Sequence, residues 1–115
     1  MYGVAIDAVI DVEINDRDKA KEIAENWLYS CLPRITPAGV HAEVKGPVDG
    51  GREHLKGGLN IKPRGEVVVI FIVVRQDGLK PTDPAPEWLT TGLKAAQVKG
   101  LTFLGATKAG AMFGG

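Results

Sequence analysis

Residues 66–74 read EVVVIFIVV, and the eight apolar positions from Val67 to Val74 follow one another without alternation. A run of this length is about half of what a bilayer crossing requires, so it reads as a strand that is apolar on both faces. Such a strand must be covered on both faces. In a chain of 115 residues one side of a small sheet does not supply that cover alone. The run therefore predicts a sheet finished by a second copy of the chain or by a partner.

The segments on either side predict the elements that accompany this strand. Residues 3–14 alternate, with Val4, Ile6, Ala8, Ile10, Val12 and Ile14 on one side and Asp7, Val9, Asp11 and Glu13 on the other, the period of a strand with a core face. Asn15-Asp16-Arg17-Asp18 is a helix start, with carboxylates at the positive end of the dipole. The helix that follows has Ala20, Ile23, Ala24, Trp27, Leu28 and Cys31 as its apolar stripe, and Pro33 is expected to end it. Val40 to Lys45 alternates again, setting Val40, Ala42 and Val44 opposite His41, Glu43 and Lys45. After the central strand, Asp77-Gly78 makes a turn. A second helix is expected from about Ala85 to Lys99, with Trp88, Leu89, Leu93 and Ala96 inward, and Leu101 to Leu104 is read as a last short strand.

The order strand, helix, strand, strand, helix, strand predicts an α+β fold: a ferredoxin-like βαββαβ sandwich, its antiparallel sheet carrying both helices on one face. In that arrangement the third strand is central. Either Val68, Ile70, Ile72 and Val74 or Val67, Val69, Phe71 and Val73 then point to the bare face, and a patch of that size marks an interface. Ile70, Ile72 and Val74 are the expected interface residues on this strand. In element order and patterning the chain resembles the dimeric α+β-barrel proteins, which pair their open faces. That resemblance implies a homodimer but selects no activity among the many such families.

Composition sets outer limits. The chain is one domain, 1–115, with 44% apolar and 24% charged residues, and fourteen basic residues balance fourteen acidic ones. It therefore has no global field to hold nucleic acid or an anionic membrane. The single cysteine, Cys31, leaves no internal disulfide, fits a reducing compartment and is read as core. No basic stretch precedes an apolar run at the N-terminus, so no signal peptide is read there. The expectation is a soluble, cytoplasmic protein without a membrane partner.

Three groups of residues are candidates for function. On the open face the first strand places Asp7, Asp11 and Glu13, and the second places His41, Glu43 and Lys45. Asp11, His41 and Glu43 are the candidate acid–base residues, because burial in an apolar barrel shifts a carboxylate or an imidazole toward proton transfer. Two histidines without metal-ligand spacing predict no metal site, and no cofactor is expected. The glycine-rich segment 46–64 is read as an arm or loop. It carries Arg52, Lys56, Lys62 and Arg64 against Asp49 and Glu53, and Arg52, His54 and Lys56 are its candidate contacts to a small anionic ligand. A hairpin tip at Gly57-Gly58 sets Val44 against Phe71 and His41 against Val74. Residues from about 105 to 115 are expected as a flexible or docking tail, with Met112 and Phe113 as interface residues.

Three classes of function fit these features. The first is a small homo-oligomeric domain that binds a small molecule, with acid–base chemistry on the open sheet face; whether it is an enzyme stays open. The second is a structural subunit of a larger assembly, such as a phage or tail-like particle. A ferredoxin-like nucleic-acid module is the third, and it lacks both the exposed sheet aromatics and the net charge such modules use.

Overall fold

The computed structural model describes residues 3–48 and 62–113, the side chains of 108–113 excepted. Six elements follow one another: β1 (Gly3–Val12), α1 (Arg17–Ile35), β2 (His41–Val48), β3 (Glu66–Arg75), α2 (Glu87–Ala95) and β4 (Leu101–Phe113). The strands form one sheet in the order β2-β3-β1-β4, and each neighbouring pair is antiparallel. The fold is thus α+β, with a four-stranded antiparallel sheet and two helices.

The alternation of β1 fixes which side of the sheet meets the helices. Val4, Ile6, Ala8, Ile10 and Val12 share one core with Ala20, Ala24, Leu28 and Cys31 of α1 and with Leu89 and Leu93 of α2. Because Ile6 pairs with Ile72, Ala8 with Ile70 and Val4 with Val74, the even positions of β3 enter the same core. Ile70, Ile72 and Val74 are each 0% exposed. They are helix-side core residues of one chain, and their expected role as interface residues is corrected accordingly.

The other face does not leave a bare patch either. Val9, Val67, Val69 and Leu104 form a second buried cluster. Val67 is 5% exposed and Val69 and Val73 are 0% exposed, while Phe71 is half-buried. The doubly apolar strand is therefore buried on both faces within a single chain. That removes the premise from which a second copy was inferred on this face.

Among the boundaries that differ from the sequence expectation, three concern the helices and the tail. The first is the end of α1. Asp16 caps its start, accepting the Lys19 N–H at 3.1 Å, and the helix runs past Pro33 to Ile35. A proline removes one donor; here the last turn still closes on the Leu32 carbonyl, which accepts from the Thr36 N–H at 3.1 Å and the Thr36 hydroxyl at 2.6 Å. Ile23, placed on the inner stripe, lies at its rim and is 36% exposed. The second is α2, which stops at Ala95 rather than near Lys99. The Ala96 carbonyl accepts the Trp27 indole N–H at 3.0 Å, and the Gln97 side chain accepts the Phe103 N–H at 2.9 Å, so the chain is drawn toward β4 early.

The third is the tail. Residues 105–113 are the second half of β4, paired with β1 as far as Phe113 opposite Gly3. A glycine-rich stretch has little strand preference of its own, and here β1 supplies the partner backbone. The segment expected as a flexible or docking tail is a strand as far as Phe113; the side chains of Met112 and Phe113, named as interface residues, lie outside the described residues.

Between β2 and β3 the observed register is Val44 opposite Ile72 and His41 opposite Arg75, with an irregularity between Val44 and Gly46. This differs by one residue from the register expected for a Gly57-Gly58 tip. A one-residue shift exchanges faces, which is why Val44 joins the helix-side core. Residues 46–48 of the expected arm belong to β2, and Pro47 sits on that edge strand, where a missing donor is tolerated. Among the described residues no helix is long and apolar enough to cross a membrane.

Candidate functional site

Asp11 occupies the next-to-last position of β1, on the face away from the helices, and is 5% exposed. Its carboxylate accepts the Arg64 N–H at 2.6 Å and the Gly65 N–H at 2.9 Å. Both amides lie just before β3, where the chain enters the sheet. A buried backbone donor needs a partner, and a carboxylate accepting two of them forms a strong, charge-assisted pair of bonds. Asp11 therefore clasps the entry of β3.

The other two expected acid–base residues sit elsewhere. His41 opens β2, is exposed and faces Arg75 across the strand pair, whereas Asp11 faces Val67. The stretch of β3 from Val67 to Arg75 separates them by roughly 26 Å of strand. The structure thus brings His41 and Glu43 together, as alternate residues of one strand, and does not bring Asp11 to either. The expected pairing of Asp11 with His41 has no geometric basis.

Glu43 is held by two cations. The Lys45 ammonium lies 3.1 Å from its carboxylate and the Arg75 guanidinium 4.0 Å. The hydrogen bond from Lys45 and then the Lys45 charge hold its carboxyl below the usual carboxylate range, and the charges of Arg75 and His41 add to this. These side chains form an exposed polar corner, with Lys45 43% and Glu43 45% exposed. Sequence reading missed Arg75; its signal was its position two residues after Val73, which assigns it to the same face.

Among the described residues, two hollows lie beside the outer strands. One, of about 290 Å³, lies between α1 and β2, lined by Leu28, Tyr29, Leu32, Pro33, Ala42 and Val44 together with Glu43. The second, of about 320 Å³, lies between α2 and β4 beside Thr90, Lys94 and Phe103. Neither reaches Asp11 or His41. Cys31 is buried in the core, and burial pushes its thiol pKa up. Among the described residues no group of three or more His, Cys, Asp or Glu gathers as a metal site would require. Arg52, His54 and Lys56 lie outside the described residues.

No protein-family model, curated protein or solved structure matches this chain.

Proposed function

We propose that the chain is a ferredoxin-like sandwich acting as a small self-associating binding domain, with the basic 46–64 segment contacting a small anionic ligand. The strand order β2-β3-β1-β4, antiparallel throughout, supports the ferredoxin-like reading, since each helix carries the chain from a central strand over its central neighbour to an outer strand, the split βαβ arrangement of that fold. One observation carries the binding reading over an acid–base enzyme. Asp11, the buried carboxylate among the candidates, is occupied by the amides of Arg64 and Gly65. It serves as an anchor for the end of the basic segment and not as a proton-transfer group. Function placed on a segment whose base is held by a rigid sheet is a common arrangement.

The test is calorimetric titration with inorganic phosphate, citrate and a simple phosphomonoester, on the wild type and on an Arg52→Ala/Lys56→Ala variant. Saturable binding of at least one anion, lost in the variant, is expected. No binding, or binding indifferent to the variant, overturns the ligand reading. A second reading, a structural subunit of a larger assembly, is favoured by β4: a 13-residue edge strand in which Lys108 is the one charged residue. Long edges with few charges are templates for strand addition.

A further inference from the structure

The face-to-face stacking first expected loses its premise once both faces of β3 are buried, so self-association needs another surface. β2 is an outer strand of the sheet, and among the described residues no strand pairs with its outer side. We infer that a second copy of this chain joins there, β2 against β2 in antiparallel register about a two-fold axis at Val44, giving a continuous eight-stranded sheet. This rests on the self-association in the function proposed above and names its surface.

Charge selects the register. With the axis at Val44, Glu43 of each copy stands opposite Lys45 of the other, and two complementary pairs form on the same face. An axis at Glu43 sets the two Glu43 carboxylates against each other and His41 against Lys45, and like charges directly opposite are unfavourable. A slip of one residue between these joins the helix side of one copy to the opposite side of the other. The Lys45 and Glu43 side chains already lie on one face, 3.1 Å apart, and both remain exposed. They are available to a second copy without unburial.

The helix side of this edge is also unfinished. The 290 Å³ hollow between α1 and β2 opens beside Val44, and Tyr29 at its margin is 55% exposed. Pairing at Val44 brings the two hollows together, so that Tyr29 and Pro33 of one copy meet those of the other over the new strand pair. The irregularity between Val44 and Gly46 falls at Lys45, beside the axis, and Pro47 limits pairing beyond it, in the manner by which edges are kept from open-ended addition. A closed dimer, rather than a filament, is the product.

Light scattering after size-exclusion chromatography tests this with the wild type, Glu43→Lys, Lys45→Glu and an equal mixture of the two variants. The wild type is expected to dimerise. Each variant alone presents four like charges at the axis and is expected to weaken dimerisation by about tenfold or more. The mixture restores the dimer, because one variant carries lysine at both positions and the other glutamate at both. The pairing within a single chain cannot produce that rescue. A wild-type dimer unaffected by either variant, or a mixture that stays monomeric, overturns the β2 interface while leaving self-association standing. A wild-type monomer throughout a concentration series overturns both.

Discussion

The Asp11 carboxylate accepts the Gly65 N–H at 2.9 Å, and Gly65 in turn lies flat against the end of β1. A Cβ placed on Gly65 meets the Val12 carbonyl oxygen, with Glu13 Cα at 2.7 Å and Ile14 N at 2.8 Å. Carboxylate and glycine work together: one draws the β3 entry onto β1, and the other permits the approach. A residue type suited to proton transfer is thereby fixed in a backbone role.

Gly65→Ala is therefore expected to destabilise the protein by about 2–3 kcal/mol, since the obstructing atoms are backbone and cannot rotate away. Urea denaturation measures it. A midpoint unchanged from wild type contradicts the close approach.

Gly92 sets a second close contact, between the helices. Its added Cβ meets Ile35 Cβ at 2.9 Å, and Ile35 Cδ1 and Cγ2 at 3.0 Å. Alanine in mid-helix is favoured over glycine by about 1 kcal/mol, so Gly92→Ala places helix preference against packing. Packing is expected to win, and Gly92→Ala destabilises α2 against α1. In Gly92→Ala/Ile35→Gly the whole clashing side chain is gone, its Cβ at 2.9 Å included, and the Gly92→Ala change becomes neutral or favourable, a coupling that a double-mutant cycle reads directly. Additive effects of the two changes refute the contact.

Glu43 gives a prediction in pH. Its folded-state carboxyl is held below the ordinary range, first by the Lys45 hydrogen bond. A lowered folded-state pKa contributes stability above the unfolded-state pKa, and that contribution disappears as pH falls through the folded-state value. The site is exposed, so the stability change is small and the titration itself is the better observable. Nuclear magnetic resonance titration of the Glu43 side chain is expected to give a higher midpoint in Lys45→Met than in wild type. Equal midpoints exclude the pairing.

What the sequence made legible follows from where its patterns carry phase. The alternation of β1 assigns Val4 through Val12 to the core without help from any partner, and the Asp16 cap and the stripe from Ala20 to Cys31 locate α1. The run from Val67 to Val74 carries no phase, because residues of both parities are apolar. Which side of β3 meets the helices is decided by pairing with β1, as in Ile6 opposite Ile72. The role of Asp11 was hidden for a different reason. Its partners are backbone amides 53 and 54 residues away, and a backbone amide leaves no mark in residue identity. The second half of β4 was hidden by its glycines and alanines, whose strand conformation comes from β1.

The most direct test of the account is the stability of Asp11→Ala by urea denaturation, read together with amide hydrogen exchange at Gly65. Removing the carboxylate leaves two amides without their acceptor, at about 1–3 kcal/mol each when buried. A loss of about 2–4 kcal/mol is expected, together with the loss of a slow-exchanging Gly65 amide that the wild type possesses. Wild-type stability in the variant, with Gly65 exchanging rapidly in both proteins, contradicts the clasp and returns Asp11 to the list of groups free for chemistry.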